Sequence, residues 1–102
     1  MIKGFIAYDL ALELHHKAEA LELKHHVKDQ LTRATLSVAL NLAEGSGKPS
    51  HPEKRRFYAI AFGSIREVQA IFQLMRIQDK KLIDKADHVA ACLYRLVYKP
   101  AA

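Results

Sequence analysis

HVKDQLTRATLSVALNLAEGSGKPSHPEKRRFYAIAFGSI, residues 26–65, is the stretch whose periodicity decides the fold. Up to Glu44 it contains neither Gly nor Pro, and Val27, Leu31, Ala34, Val38 and Leu42 recur at the spacing of a helix with one buried stripe. The pattern stops at Gly45, a residue suited to a left-handed helix end, and Gly45-Ser-Gly-Lys-Pro-Ser50 is the clearest loop in the chain. Ser50 then opens another helix. Pro52 fits its first turn, and Glu53 lies where a capping box places its acid. Phe57, Ile60, Ala61, Ser64, Val68, Ile71, Phe72 and Met75 form the inward face of this helix, which is expected to end near Ile77.

The same period continues on either side. Ala7, Leu10, Ala11, Leu14, Ala18 and Leu21 predict a first helix from Ile6 to Ala20, with a break near Glu22 to His25. Asp79 to Lys81 read as a turn, followed by a helix from Leu82 to Tyr98 that buries Leu82, Ala86, Val89, Leu93 and Leu96 or Val97 before Pro100. Strand signals are absent. The expectation is an all-α chain, an antiparallel up-down-up-down four-helix bundle, forming a single domain over residues 1–102. With half its 102 residues apolar, the chain can fill one modest core.

The second and third helices carry more apolar surface than one bundle can bury. Leu36, Ala39, Leu40 and Ala43 project nearly opposite the Leu31, Val38 and Leu42 stripe, and Tyr58, Phe62 and Ile65 widen the apolar arc of the next helix. These positions are candidates for an interface with another copy of the chain. Between the stripes lie Arg33, Ser37, Asn41 and Glu44, facing Glu53, Arg56, Gly63 and Glu67. An antiparallel hairpin folded about residue 50 sets Glu44 opposite Arg56, Arg33 opposite Glu67 and Ser37 opposite Gly63. Two register-setting ion pairs around a close small-residue contact are therefore expected.

Few residues nominate chemistry. The loop at Gly45 lacks the phosphate-binding pattern, because Leu42 stands where a Gly is required and Pro49 where Ser or Thr is required. His15-His16 and His25-His26 are adjacent pairs, and helical neighbours point about 100° apart, so neither pair can share a metal. His16 with Glu19, Glu22 with His26, and Asp84 with His88 read as surface pairs. No cofactor, metal or catalytic residue is expected, and the chain is read as not an enzyme. Cys92, the single cysteine, reads as a small hydrophobe at the core's edge. The N-terminal residues do not resemble a signal peptide and no apolar run approaches membrane length, so a cytoplasmic protein away from membranes is expected.

What remains is charge. Sixteen Lys and Arg against 11 Asp and Glu give +5, a balance that favours polyanions or acidic partners. Arg55 and Arg66 fall on one side of the third helix with Lys54 nearby and Arg76 at the far end, and Lys80 and Lys81 add a cluster at the next turn. These six residues are candidate contacts for RNA or DNA. A structural scaffold whose positive charge serves only solubility is the competing class.

Gln30-Leu31, Arg33-Ala34, Ser37-Val38, Asn41-Leu42-Ala43-Glu44-Gly45, Gly47-Lys48, Ser50, Glu53, Arg56-Phe57-Tyr58, Ile60-Ala61, Gly63-Ser64 and Glu67 together resemble the bacterial four-helix bundle proteins encoded in 23S ribosomal RNA intervening sequences. That group includes the accessory protein of diversity-generating retroelements. The resemblance implies a homopentameric barrel of bundles, whose basic surface in the retroelement members engages reverse transcriptase and nucleic acid. The His-rich first connection and Pro49 after Lys48 depart from the pattern.

Overall fold

A computed structural model describes residues 5–99. Four helices follow one another: α1 Ile6–Ala20, α2 His25–Ser46, α3 His51–Leu74 and α4 Lys80–Tyr98. Among the described residues there is no strand. The helices pack in a closed ring, α1 on α2, α2 on α3, α3 on α4 and α4 on α1, and among the described residues the backbones of diagonal helices do not approach closely. Extents of 41 × 20 × 20 Å suit this ring, since two helices of about 10 Å diameter span the short axes. Neighbours run antiparallel. Gln30 meets Glu67, Ser37 meets Ser64 and Ser46 meets Lys54, so partners on α3 fall in number as those on α2 rise. Across the next seam Phe62 meets Tyr94 and Tyr98 while Gln69 meets Asp87, with the same reversal.

One core fills the ring. Leu14, Leu31, Val38, Leu42, Ile65, Val68, Leu82, Val89 and Leu93 are fully buried, and Ala11, Ala18 and Ala61 allow close approach between them. The period-derived faces of α1, α2 and α4 are the buried ones, except that Leu10, Leu21 and Val27 are only half-buried, and Thr35, Ala39 and Ala90 are added. On α3 the buried face is Tyr58, Ala61, Ile65, Val68 and Phe72, and this rotates the expected stripe: Ile60 and Met75 are exposed. Tyr58, Ile65 and Ala39, expected at an outer interface, are therefore part of the chain's own core.

The helix ends have local causes. Ser50 caps α3, its hydroxyl accepting from the Glu53 N–H at 3.4 Å and donating to Glu53 Oε1 at 2.9 Å, with Pro52 in the first turn. Asp79 caps α4 by accepting from the Leu82 N–H at 3.1 Å, so Lys80 and Lys81 sit in the first helical turn rather than in a preceding turn. Helix α3 stops three residues before Ile77. Arg76 adopts φ 56, and the Ile77 and Arg76 N–H groups donate to the Phe72 and Gln73 carbonyls at 3.0 and 3.1 Å, a Schellman end with Arg in the position that favours glycine.

Gly45 does not end α2. It is buried inside the last turn, and a Cβ there would lie 2.7 Å from Tyr58 Cε1 and 3.1 Å from Phe57 Cβ. Its missing side chain lets the Tyr58 ring close on α2. Gly63, expected in the close contact, has nothing within 4 Å of its notional Cβ. Ser37 instead bonds Ser64, one residue on, at 2.8 Å.

Candidate nucleic-acid interface

Helix α2 and the inner edge of α3 spend their polar groups on each other. Asn41 donates to the Ser37 carbonyl at 2.9 Å and to its hydroxyl at 3.2 Å, and that hydroxyl joins Ser64. Lys54 is partly buried and donates to the Ser46 carbonyl at 2.9 Å, which satisfies an acceptor at the end of α2. Of the residues expected to meet nucleic acid, Lys54 is thus engaged within the hairpin. The expected ion pairs do not form. Glu44 pairs with Lys48 one turn on at 3.1 Å, while the Arg56 guanidinium and the Lys48 ammonium lie 5.3 and 5.0 Å from the Phe57 ring centroid. Arg33 and Glu67 line one polar groove of about 650 Å³ with His26, Asp29, Gln30 and Ser37, and Glu67 accepts from Gln30 at 3.4 Å.

The histidines distribute locally. His16 meets Glu19 at 3.4 Å as spaced, whereas Asp29 takes His25 at 3.4 Å, and Asp84 takes Lys80 at 3.4 Å rather than His88. His15 carries a contact that spacing alone did not single out: its Nδ1 lies 2.7 Å from the hydroxyl of Thr35, the only buried polar side chain among the described residues. The signal was present, since Thr35 sits one helical turn after Leu31 on the inward stripe. Among the described residues no three His, Cys, Asp or Glu side chains converge as a metal site.

On the other side of α3 the picture changes. Arg55, Phe62 and Arg66 project within about 40° of one another, on the shoulder facing α4. Arg66 donates to Gln69 at 3.1 Å, which donates to Asp87 at 2.8 Å. Tyr94 and Tyr98, one turn apart on α4, have ring centroids 5.0 Å apart with their planes tilted by 43°, and meet the Phe62 ring at 6.2 and 6.0 Å. Both tyrosines are about half exposed. At the far end, Arg76 lines a concavity of about 360 Å³ with Phe72, Ile77 and Ile83, close in sequence to the exposed Lys80 and Lys81. The six ion pairs among the described residues all use His or Lys, and none uses an arginine.

A third surface is apolar. Leu36 and Leu40 are 44% and 58% exposed on the outer side of α2, and Leu12 on α1 is 38% exposed. Ala43 is half-buried beside them, at a concavity of about 430 Å³ that Leu40 also lines.

Four helices around one core, with no helix among the described residues long and apolar enough to cross a membrane, define a small helical-bundle protein. A family model described as 23S rRNA-intervening sequence protein matches residues 6–95, and the chain belongs to that family. No curated protein and no solved structure matches it.

Proposed function

We propose that this chain is a non-catalytic binding module that assembles with copies of itself and presents arginines to nucleic acid or to a nucleic-acid enzyme. The observation that carries the proposal is the division of charge: the carboxylates that form ion pairs, Glu13, Glu19, Asp29, Glu44 and Asp84, all meet His or Lys, while Arg33, Arg55, Arg56, Arg66, Arg76 and Arg95 have none within ion-pair distance among the described residues. A guanidinium without a carboxylate partner is available to phosphate, which it recognises in a fork geometry. Lys80 has Asp84 beside it, so Arg55, Arg66 and Arg76 rank above it as contacts.

Self-assembly is supported by Leu36 and Leu40, one turn apart on the outer side of α2 and exposed to water in a lone bundle. Assembly would repeat each basic patch and so favour long polyanions through avidity. A pentamer, and a partner resembling reverse transcriptase, follow from the resemblance to the retroelement accessory proteins. The test joins two measurements. Binding of mixed RNA and DNA oligonucleotides should weaken steeply with salt, and no binding at low salt would remove the nucleic-acid role. In light scattering, Leu36→Glu with Leu40→Glu should give a smaller soluble species, whereas unchanged mass would remove this surface from the interface. Salt-insensitive capture of a protein partner with no oligonucleotide binding would instead favour a scaffold.

A further inference from the structure

We infer that the seam between α3 and α4 binds single-stranded nucleic acid by stacking bases on Tyr94 and Tyr98. The inference rests on the nucleic-acid role proposed above and assigns it a place and a strand type. Three aromatic rings meet at this seam, with Tyr94 and Tyr98 at 5.0 Å and each edge-on to Phe62 at 6.2 and 6.0 Å. Phe62 is half-buried and braces the pair from below, while the tyrosines stand 45% and 54% exposed. Core packing does not require them there, because Leu93 and Val97, their neighbours in sequence, are the buried residues of that turn. An aromatic platform held open to water on rigid helices is what sequence-tolerant base stacking uses.

The cations around the rings match a strand of phosphates. Arg55 and Arg66 lie on the same shoulder of α3 as Phe62, one on each side of it, about 16 Å apart along the axis at roughly 1.5 Å per residue. Arg95 follows Tyr94 on α4, turned about 100° from it, and its guanidinium donates to Cys92 Sγ at 3.8 Å. Asp87 stands on the same side and accepts from Gln69, and Asp84, on the face of α4 that Arg95 shares, pairs with Lys80. A cationic groove with rings at its middle selects a single strand, since bases in a duplex are already stacked on each other and present no free face.

The test uses fluorescence anisotropy with a labelled oligothymidylate and a hairpin duplex of equal phosphate number. Wild-type protein should bind the single strand roughly tenfold tighter than the duplex. Tyr94→Ala with Tyr98→Ala should weaken single-strand binding roughly tenfold and leave duplex binding unchanged, while Tyr94→Phe with Tyr98→Phe should keep wild-type affinity. The sequence has no Trp and four Tyr, Tyr8, Tyr58, Tyr94 and Tyr98, so the share of the tyrosine emission that the alanine pair removes is that of the two seam rings, and oligothymidylate should quench that share. Equal affinity for both nucleic acids, an alanine pair without effect on the single strand, or absence of quenching overturns the stacking site while the general nucleic-acid role stands. If the alanine pair lowers the assembly's mass, the rings belong to an interface between copies and the inference falls. Absence of binding to either probe at low salt removes both proposals.

Discussion

Over residues 54–64 the α2 side of helix α3 is closed, with Tyr58 against Gly45, Ser64 against Ser37 and Lys54 against the end of α2, and only beyond Ser64 does it open into the polar groove of Arg33 and Glu67. Along its α4 side the same helix is open, with Phe62 bracing two tyrosines that face water and arginines that meet no carboxylate. Polar groups on the closed side are satisfied by the chain itself, so they act on stability and register. On the open side Arg66, Gln69 and Asp87 bond one another at the surface, while Arg55 and the tyrosine rings face solvent and can act on whatever arrives there. The hairpin residues that carry the family resemblance lie mostly on the closed side. Their first role is to hold two helices together.

The comparison breaks most sharply at the glycines. Gly45→Leu should drive a branched side chain into the Tyr58 ring and the Phe57 Cβ, costing about 3 kcal/mol or more, read as a fall in the denaturation midpoint. Gly45→Ala should also destabilise, against its helix propensity. Gly63→Ala is the control, since open space surrounds it, and should gain about 1 kcal/mol or less. Equal responses at the two sites would show that the closed side is not close-packed.

Where the seam ends, Arg76 adopts a left-handed conformation that costs an L-residue about 1 kcal/mol. Arg76→Gly should therefore raise thermal stability by about 0.5–1 kcal/mol while lowering nucleic-acid affinity, a split between folding and binding that calorimetry and anisotropy would register.

The smallest effect is expected on the far side of α4. Lys85 donates to Glu13 at 2.6 Å, and this hydrogen bond, followed by the lysine's charge, holds the Glu13 carboxyl below the usual glutamate range. A depressed folded pKa stabilises the fold above the ordinary glutamate range and loses that contribution as pH falls through the folded value. Lys85→Met should thus unfold slightly more easily than wild type at neutral pH, and the gap should close in acid. A gap that widened in acid would contradict this pairing.

Much of the architecture was legible because spacing encodes it. Ile6–Ala20 follows from six apolar positions, and Ser50, Pro52 and Glu53 announce the start of α3. The rotation of α3 was not legible, because Phe57, Tyr58, Ile60, Phe62 and Ile65 offer more than one apolar stripe. What selects Tyr58 and Ile65 is a tertiary fact, the gap that Gly45 leaves on another helix. The ion pairs failed for a different reason. Glu44 finds Lys48, four residues on and just past the end of α2, which asks less side-chain ordering than reaching across a seam. Arg56 takes the neighbouring Phe57 ring. The tyrosine pair escaped notice because Tyr98 lies at the last helical residue and no period marks two exposed rings as a platform.

The order of helices around the ring is the order of helices along the chain. Three of the four seams are therefore made between sequence neighbours, and only α1 with α4 joins distant parts of the polypeptide. In terms of chain entropy, most of the structure is assembled over short loops, which places the fold with the low-contact-order, rapidly folding bundles. The remaining closure brings the two ends of the sequence together, and the Lys85 and Glu13 pair lies on that last seam to be drawn shut.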